Sequence, residues 1–299
     1  MGRAPRCGMG EGKSRVGIVG LGLIGGSLGL DLLAHGWQVQ GLVHRSATAE
    51  RAMARGLATA VSTDPACLAG CDLVILALPI PALLAPDQAL VEAIPQDAVV
   101  TDVGSVKRPV LEVWRQRHPR FVASHPMAGT SAAGVESGQR ELFRGRPWIA
   151  TPDVSTDPSA LGAVQALAEL LGSQWFTAGA EQHDQAVALI SHMPVLVSAA
   201  LLRTAGEERD PEIRQLAQAL ASSGFADTSR IGGGNPELGV AMASSNREAM
   251  LKALAAYRWS LEQLEDAVLR NSWDQLRREL ERTQRLRPDF LSPPSPTGQ

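Results

Sequence analysis

The sequence predicts an α/β fold: an N-terminal doubly wound parallel sheet followed by an all-helical C-terminal half. Three observations carry this. Apolar runs of strand length alternate with helical segments up to about residue 176, a glycine-rich turn joins the first run to the first helix, and Ala-, Leu-, Gln- and Arg-rich segments take over after residue 180. Buried strands alternating with crossover helices make a parallel sheet, whereas strong helix formers with few β-branched runs make helices. The 299 residues are 44% hydrophobic and 20% charged, which fits two domains. We expect residues 14–180 to form the first domain and 181–287 the second, between disordered tails at 1–13 and 288–299.

The first strand, Arg15 to Val19, runs into Gly20-Leu21-Gly22-Leu23-Ile24-Gly25-Gly26-Ser27 and then a helix from Leu28 to Ala34. This is a GxGxxG turn between a strand and a helix, the setting in which it binds a dinucleotide. Gly20 permits the tight turn, Gly22 lets backbone N–H groups approach a pyrophosphate, and Gly25 lets helix and strand pack closely. The domain is therefore of Rossmann type, with Gly20, Gly22, Leu23, Ile24 and Gly25 as cofactor-binding positions. The second strand, Gln38 to Val43, ends in His44-Arg45-Ser46-Ala47-Thr48, where an NAD site would carry a carboxylate for the ribose 2′-hydroxyl. Arg45 can fork onto a 2′-phosphate beside His44 while Ser46 and Thr48 donate hydroxyl hydrogen bonds, so the expected cofactor is NADP.

Further strands follow at 72–79, whose Leu78-Pro79 end passes the cofactor, and at 98–103, which ends in Asp102, Ser105 and Lys107. Phe121-Val122-Ala123 delivers His125 in a Ser-His-Pro corner, and runs at 148–152 and 174–176 complete one parallel sheet. Ligands bind at the carboxyl ends of such strands, so His125 is the candidate general base, with Ser105 placed to orient it by a hydrogen bond. Asp102 joins the cofactor edge, and Lys107 reads equally as a helix cap or as part of the site.

In the second half, a helix opening at Glu181-Gln182-His183 continues to His192-Met193-Pro194, and the proline should kink it. His183 and His192 are site candidates. The glycine-rich stretch 224–236 reads as a loop in which a partly buried Arg230 clamps a substrate carboxylate. Helices at 246–270 and 273–285 carry Leu251, Leu254, Leu261 and Leu264 as core or dimer seam. The net charge of −3 offers no footprint for nucleic acid. Cys7, Cys67 and Cys71 lie at no metal-ligand spacing, so no metal is expected and a reducing cytoplasm is. Neither a secretory signal nor an apolar run of membrane-spanning length is seen.

Five motifs, GLGLIGGS at 20–27, TDVGSVK at 101–107, SHPMAGT at 124–130, HDQAVALISHMPVLVSAAL at 183–201 and SSGFADTSRIGGGNPEL at 222–238, carry a resemblance. Over residues 14–285 the chain resembles the TyrA family of prephenate and arogenate dehydrogenases, and is most similar to NADP-dependent arogenate dehydrogenases of cyanobacterial type. The resemblance implies a helical domain through which two subunits dimerise and oxidative decarboxylation of a cyclohexadienyl substrate. By position it makes His125 the acceptor of the C4-hydroxyl proton, Ser105 its orienting serine and Arg230 the carboxylate-binding arginine. It places His183, Ser191, His192 and Thr130 around the substrate. Val195 departs from many prephenate-using members, which carry a histidine there, and this favours arogenate. The alternatives are a prephenate dehydrogenase giving 4-hydroxyphenylpyruvate and a non-catalytic NADP(H)-binding dimer. A β-hydroxyacid dehydrogenase is disfavoured because its usual lysine base is replaced by His183, Ser191 and His192. A neutral histidine base predicts a fall in kcat/KM near pH 6.5, the ordinary imidazole pKa being about 6.5.

Overall fold

The computed structural model describes residues 14–129 and 134–291. Six parallel strands, β1 (Arg15–Val19), β2 (Gln38–Leu42), β3 (Ala60–Ser62), β4 (Leu73–Leu76), β5 (Val99–Asp102) and β6 (Phe121–Val122), form a sheet in the order β3-β2-β1-β4-β5-β6. The order reverses between β1 and β4, where a doubly wound sheet opens its binding crevice. Alternate residues feed two cores. Val16, Ile18 and Ile75 pack with Leu28 and Leu32, while Val74, Leu76 and Val100 pack with Leu83 and Trp114. β3 is short and half-exposed, which is why no apolar run announces it.

The expectation of a single parallel sheet needs correction after β6. Ser124–Pro126 (β7), Pro147–Ala150 (β8) and Gln174–Thr177 (β9) form a separate three-stranded sheet in which β7 and β8 are antiparallel. Side chains of β5 end the first ladder. Thr101 Oγ1 donates to the Val122 carbonyl (2.8 Å), and the Ser124 N–H turns to Asp102 Oδ1 (3.1 Å). His125 thus lies inside a strand, opposite Ile149, rather than in a corner.

The helical half begins with Ala180–Val187, passes through a π-helical turn, Ala188–His192, and continues as Met193–Gly206. Pro194, in the first turn of that last segment, lacks an N–H, and the turn before it is wound more loosely instead of being broken. Together Ala180–Gly206 is a helix long and apolar enough to cross a membrane by length and composition, contrary to expectation, because His183, Ser191 and His192 interrupt its apolar runs without interrupting the helix. Much of its apolar surface, including Leu189, Ile190 and Leu201, is exposed on the single chain.

Residues Ser223–Ser229, expected as loop, form a helix. Gly232 follows it closely against the Met193–Gly206 helix, since a Cβ there would lie 2.3 Å from the Ala199 nitrogen. Contacts divide the chain into one compact unit ending at Asn246 and a second of the helices Arg247–Leu269 and Trp273–Leu291. The expected boundary at 180/181 separates sheet from helices, but contacts cross it. The last helix runs through Pro288 to Leu291, beyond the expected start of the tail at 288. Residues 1–13 with Cys7, the remainder of the C-terminal tail, and Thr130 lie outside the described residues.

Candidate active site

The glycine turn is built as its spacing requires. Gly20 has φ +93°, and a Cβ on it would lie 2.3 Å from the Ala77 carbonyl oxygen; one on Gly25 would lie 1.9 Å from that of Gly20. Gly22 has nothing within 4 Å of an added Cβ. It caps the helix Leu23–Ala34, whose first turn has no side-chain cap and no acidic residue. Unsatisfied N–H groups facing open space fit a phosphate. Gly25→Ala should therefore destabilise the fold by about 1–3 kcal/mol through overpacking. Gly22→Ala should leave thermal stability unchanged while weakening binding of the reduced pyridine nucleotide, measured by fluorescence titration; a stability loss at Gly22 equal to that at Gly25 would contradict this.

At the end of β2, Val43 is buried and His44, Arg45 and Ser46 are exposed, with Thr48 half-buried. No carboxylate stands between 44 and 49. Leu78 is half-buried and Pro79 exposed at the end of β4. These residues fit a pyridine dinucleotide.

The proton-handling groups converge from β5, β7 and the helix starting at Ala180. His125 Nδ1 lies 2.9 Å from His183 Nε2, and His183 Nδ1 lies 2.8 Å from Asp184 Oδ1. Asp184 also accepts the backbone N–H groups of Lys107 (2.7 Å) and Arg108 (2.9 Å), tying the turn after β5 to the helix that begins at Ala180. His192 is wholly buried, with Nδ1 3.2 Å from Asn246 Nδ2 and no hydrogen bond at Nε2. Below them Lys107 and Asp102 form a fully buried ion pair, in which Lys107 Nζ also donates to the Ser124 carbonyl (2.6 Å).

Electrostatics follow from this packing. Burial, and then the neighbouring His183, Lys107 and His192, hold His125 well below the usual imidazole pKa. Burial takes His192 to about 4, the Asp184 charge resisting. Burial raises Asp102 and lowers Lys107, each opposed by attraction to the other.

Several expectations change. Ser105 Oγ is buried without a hydrogen-bond partner, so it does not orient His125; the His125 Nδ1 is taken up by His183. His183 has both nitrogens engaged inside the protein, leaving no polar atom for a substrate. Asp102 is fully buried, and Lys107, the Gly104 N–H and the Ser124 N–H absorb its carboxylate, which excludes side-chain contact with a cofactor. Lys107 begins the helix Arg108–Trp114 without a side-chain cap, because its side chain turns inward. Arg230 is exposed rather than partly buried, at the end of Ser223–Ser229. Ser191 is half-buried in the π-helical turn. Asp184, Asn246 and Ser124 were not foreseen as site residues; for Asp184 the only signal was its place beside His183.

Residues 28–176 match the family model for the prephenate dehydrogenase nucleotide-binding domain, and residues 179–282 that for the prephenate dehydrogenase dimerization domain. The chain is 30% identical over 278 residues to the cyclohexadienyl dehydrogenase of Zymomonas mobilis, with 91% of this chain and 94% of that one covered. It is similar to the crystal structure of Synechocystis arogenate dehydrogenase at 41% identity and TM-score 0.79, covering 92% of this chain and 99% of that one. It is also similar to Aquifex aeolicus prephenate dehydrogenase in complex with hydroxyphenyl propionate and NAD+, at 28% identity and TM-score 0.86, covering 93% and 99%. A dinucleotide fold with a histidine at its edge, seen in this company, defines a dehydrogenase that uses a pyridine nucleotide. The chain belongs to the prephenate dehydrogenase family, TyrA.

Proposed function

We propose that the protein oxidatively decarboxylates L-arogenate to L-tyrosine with NADP, as a homodimer, in tyrosine biosynthesis. The observation that carries this is His125, a half-buried imidazole held neutral at the edge of a dinucleotide fold. The nicotinamide, when bound, accepts the hydride. His125 accepts the proton of the C4 hydroxyl, so that a carbonyl forms as hydride leaves the same carbon, and loss of the ring carboxylate then restores aromaticity. Arg230 is the proposed carboxylate partner, and Ser191 and His192 are the proposed substrate-lining residues.

Three features support the finer parts of this reading. Arg45, with no carboxylate at positions 44–49, favours NADP over NAD. Val195, half-buried where many prephenate-using members carry histidine, favours arogenate. Exposed apolar residues such as Leu251, Leu261 and Trp259, on a stretch matched to a dimerization domain, favour the dimer. Steady-state assays of arogenate and prephenate with each nucleotide test the reading: arogenate with NADP should give the highest kcat/KM, and Arg45→Ala should erode the NADP preference. A higher kcat/KM for prephenate, giving 4-hydroxyphenylpyruvate, would establish the alternative substrate.

The base must be neutral, and a lowered pKa means that it stays so into acid. The fall in kcat/KM as pH drops should therefore be centred below the ordinary imidazole value of about 6.5. A midpoint at or above that value would contradict the burial of His125.

A further inference from the structure

We infer that His183 and Asp184 are positioning residues that hold His125 in the Nδ1–H tautomer, leaving its Nε2 lone pair free to take the substrate proton. The inference rests on the reading of His125 as proton acceptor and deepens it.

The bonds begin at a carboxylate surrounded by donors. Asp184 accepts the Lys107 N–H at Oδ1 and the Arg108 N–H at Oδ2, so both oxygens act as acceptors. His183 Nδ1, also at Oδ1, must then carry the imidazole proton. In the neutral ring this makes Nε2 an acceptor, and the atom facing it, 2.9 Å away, is His125 Nδ1. That nitrogen must donate. With one proton on the ring, His125 Nε2 is left as a bare lone pair. Inverting the order, with the His125 proton on Nε2, would bring two lone pairs together at 2.9 Å or require a second proton on the buried His183.

The arrangement also fixes orientation. The backbone N–H groups of Lys107 and Arg108 anchor Asp184, which holds His183, and His183 holds His125. Asn246 donates to the Asp184 carbonyl (2.7 Å), bracing the same turn. Among the described residues, the charged or titratable groups that bear on His125 are His183, Lys107 and His192, with Lys107 paired to Asp102 and His192 beside Asn246. None of these three supplies an acceptor to His125 Nδ1 except His183.

Two measurements test the assignment. In full-length protein labelled with 15N-histidine, two-bond 15N–1H spectra at roughly pH 8, above the ordinary histidine range, report each ring's tautomer. The six histidines are assigned by single His→Gln substitutions. His125 and His183 should both be protonated at Nδ1; protonation of His125 at Nε2 would overturn the inference. The wild-type spectrum needs no substrate, so it stands even if neither arogenate nor prephenate is oxidised, an outcome that would instead reject the functional reading. In steady-state assays, His183→Ala should lower kcat by about 10²-fold, the typical effect of a misplaced catalytic group, with KM within about twofold. His183→Gln, whose Oε1 can accept the His125 N–H, should restore most of that loss. An unchanged kcat in His183→Ala, or a loss confined to KM, would also overturn it.

Discussion

Replacing His125 with Asn is expected to lower kcat by about 10²–10⁴-fold while leaving KM within a few fold, since a positioned base contributes that much to the rate. Asn fills similar space in β7 and keeps the pairing with Ile149, so the sheet should survive. What is lost is a nitrogen that can take a proton. The residual activity should also lose its dependence on pH in the acid range, because the titrating group is gone. A variant that turns over at near-normal rate would reject His125 as the base, and a large rise in KM with kcat unchanged would make it a binding residue.

The second large effect concerns stability. Lys107→Met should cost about 3–5 kcal/mol, the usual penalty for stripping one partner from a buried ion pair. Asp102 would be left with only the Gly104 and Ser124 N–H groups in a site with no water-exposed surface. Asp102 holds Ser124, and Ser124 accepts the Trp148 indole N–H (3.0 Å), so the three-stranded sheet that carries His125 should loosen with it. Removing the orphaned charge as well, in Lys107→Met combined with Asp102→Asn, should recover part of the loss. Chemical denaturation of the three proteins measures this. A loss under about 1 kcal/mol for Lys107→Met would mean that the pair is neutral in the folded state, because only an uncompensated charge carries the larger penalty.

What could be read in the sequence was what local sterics decide. The positive φ of Gly20 and the approach of Gly25 to the Gly20 carbonyl both lie within the turn, so GxGxxG between a strand and a helix was sufficient. The apolar runs of β1, β4 and β5 were legible for the same reason. Non-local bonds were not. β6 ends early because Asp102 captures the Ser124 N–H from 22 residues away, and nothing in Phe121-Val122-Ala123-Ser124 announces it. Likewise His125 meets His183 across 58 residues, and Asp184 meets Lys107 across 77. Sequence reasoning put Ser105 beside the base because both follow strands, whereas the fold gives that contact to a helix of the second half. Arg230 was expected to be partly buried, and it is exposed on the single chain, in a stretch that matches a dimerization domain.

This chain is expected to couple oxidation to decarboxylation with His125 as base. Measuring NADPH and carbon dioxide together from arogenate tests it most directly. Wild-type protein should release the two in equal amounts, and His125→Asn should lose both in the same proportion. Tight NADPH binding with neither product formed from arogenate or prephenate would contradict the account and leave a nucleotide-binding dimer in its place.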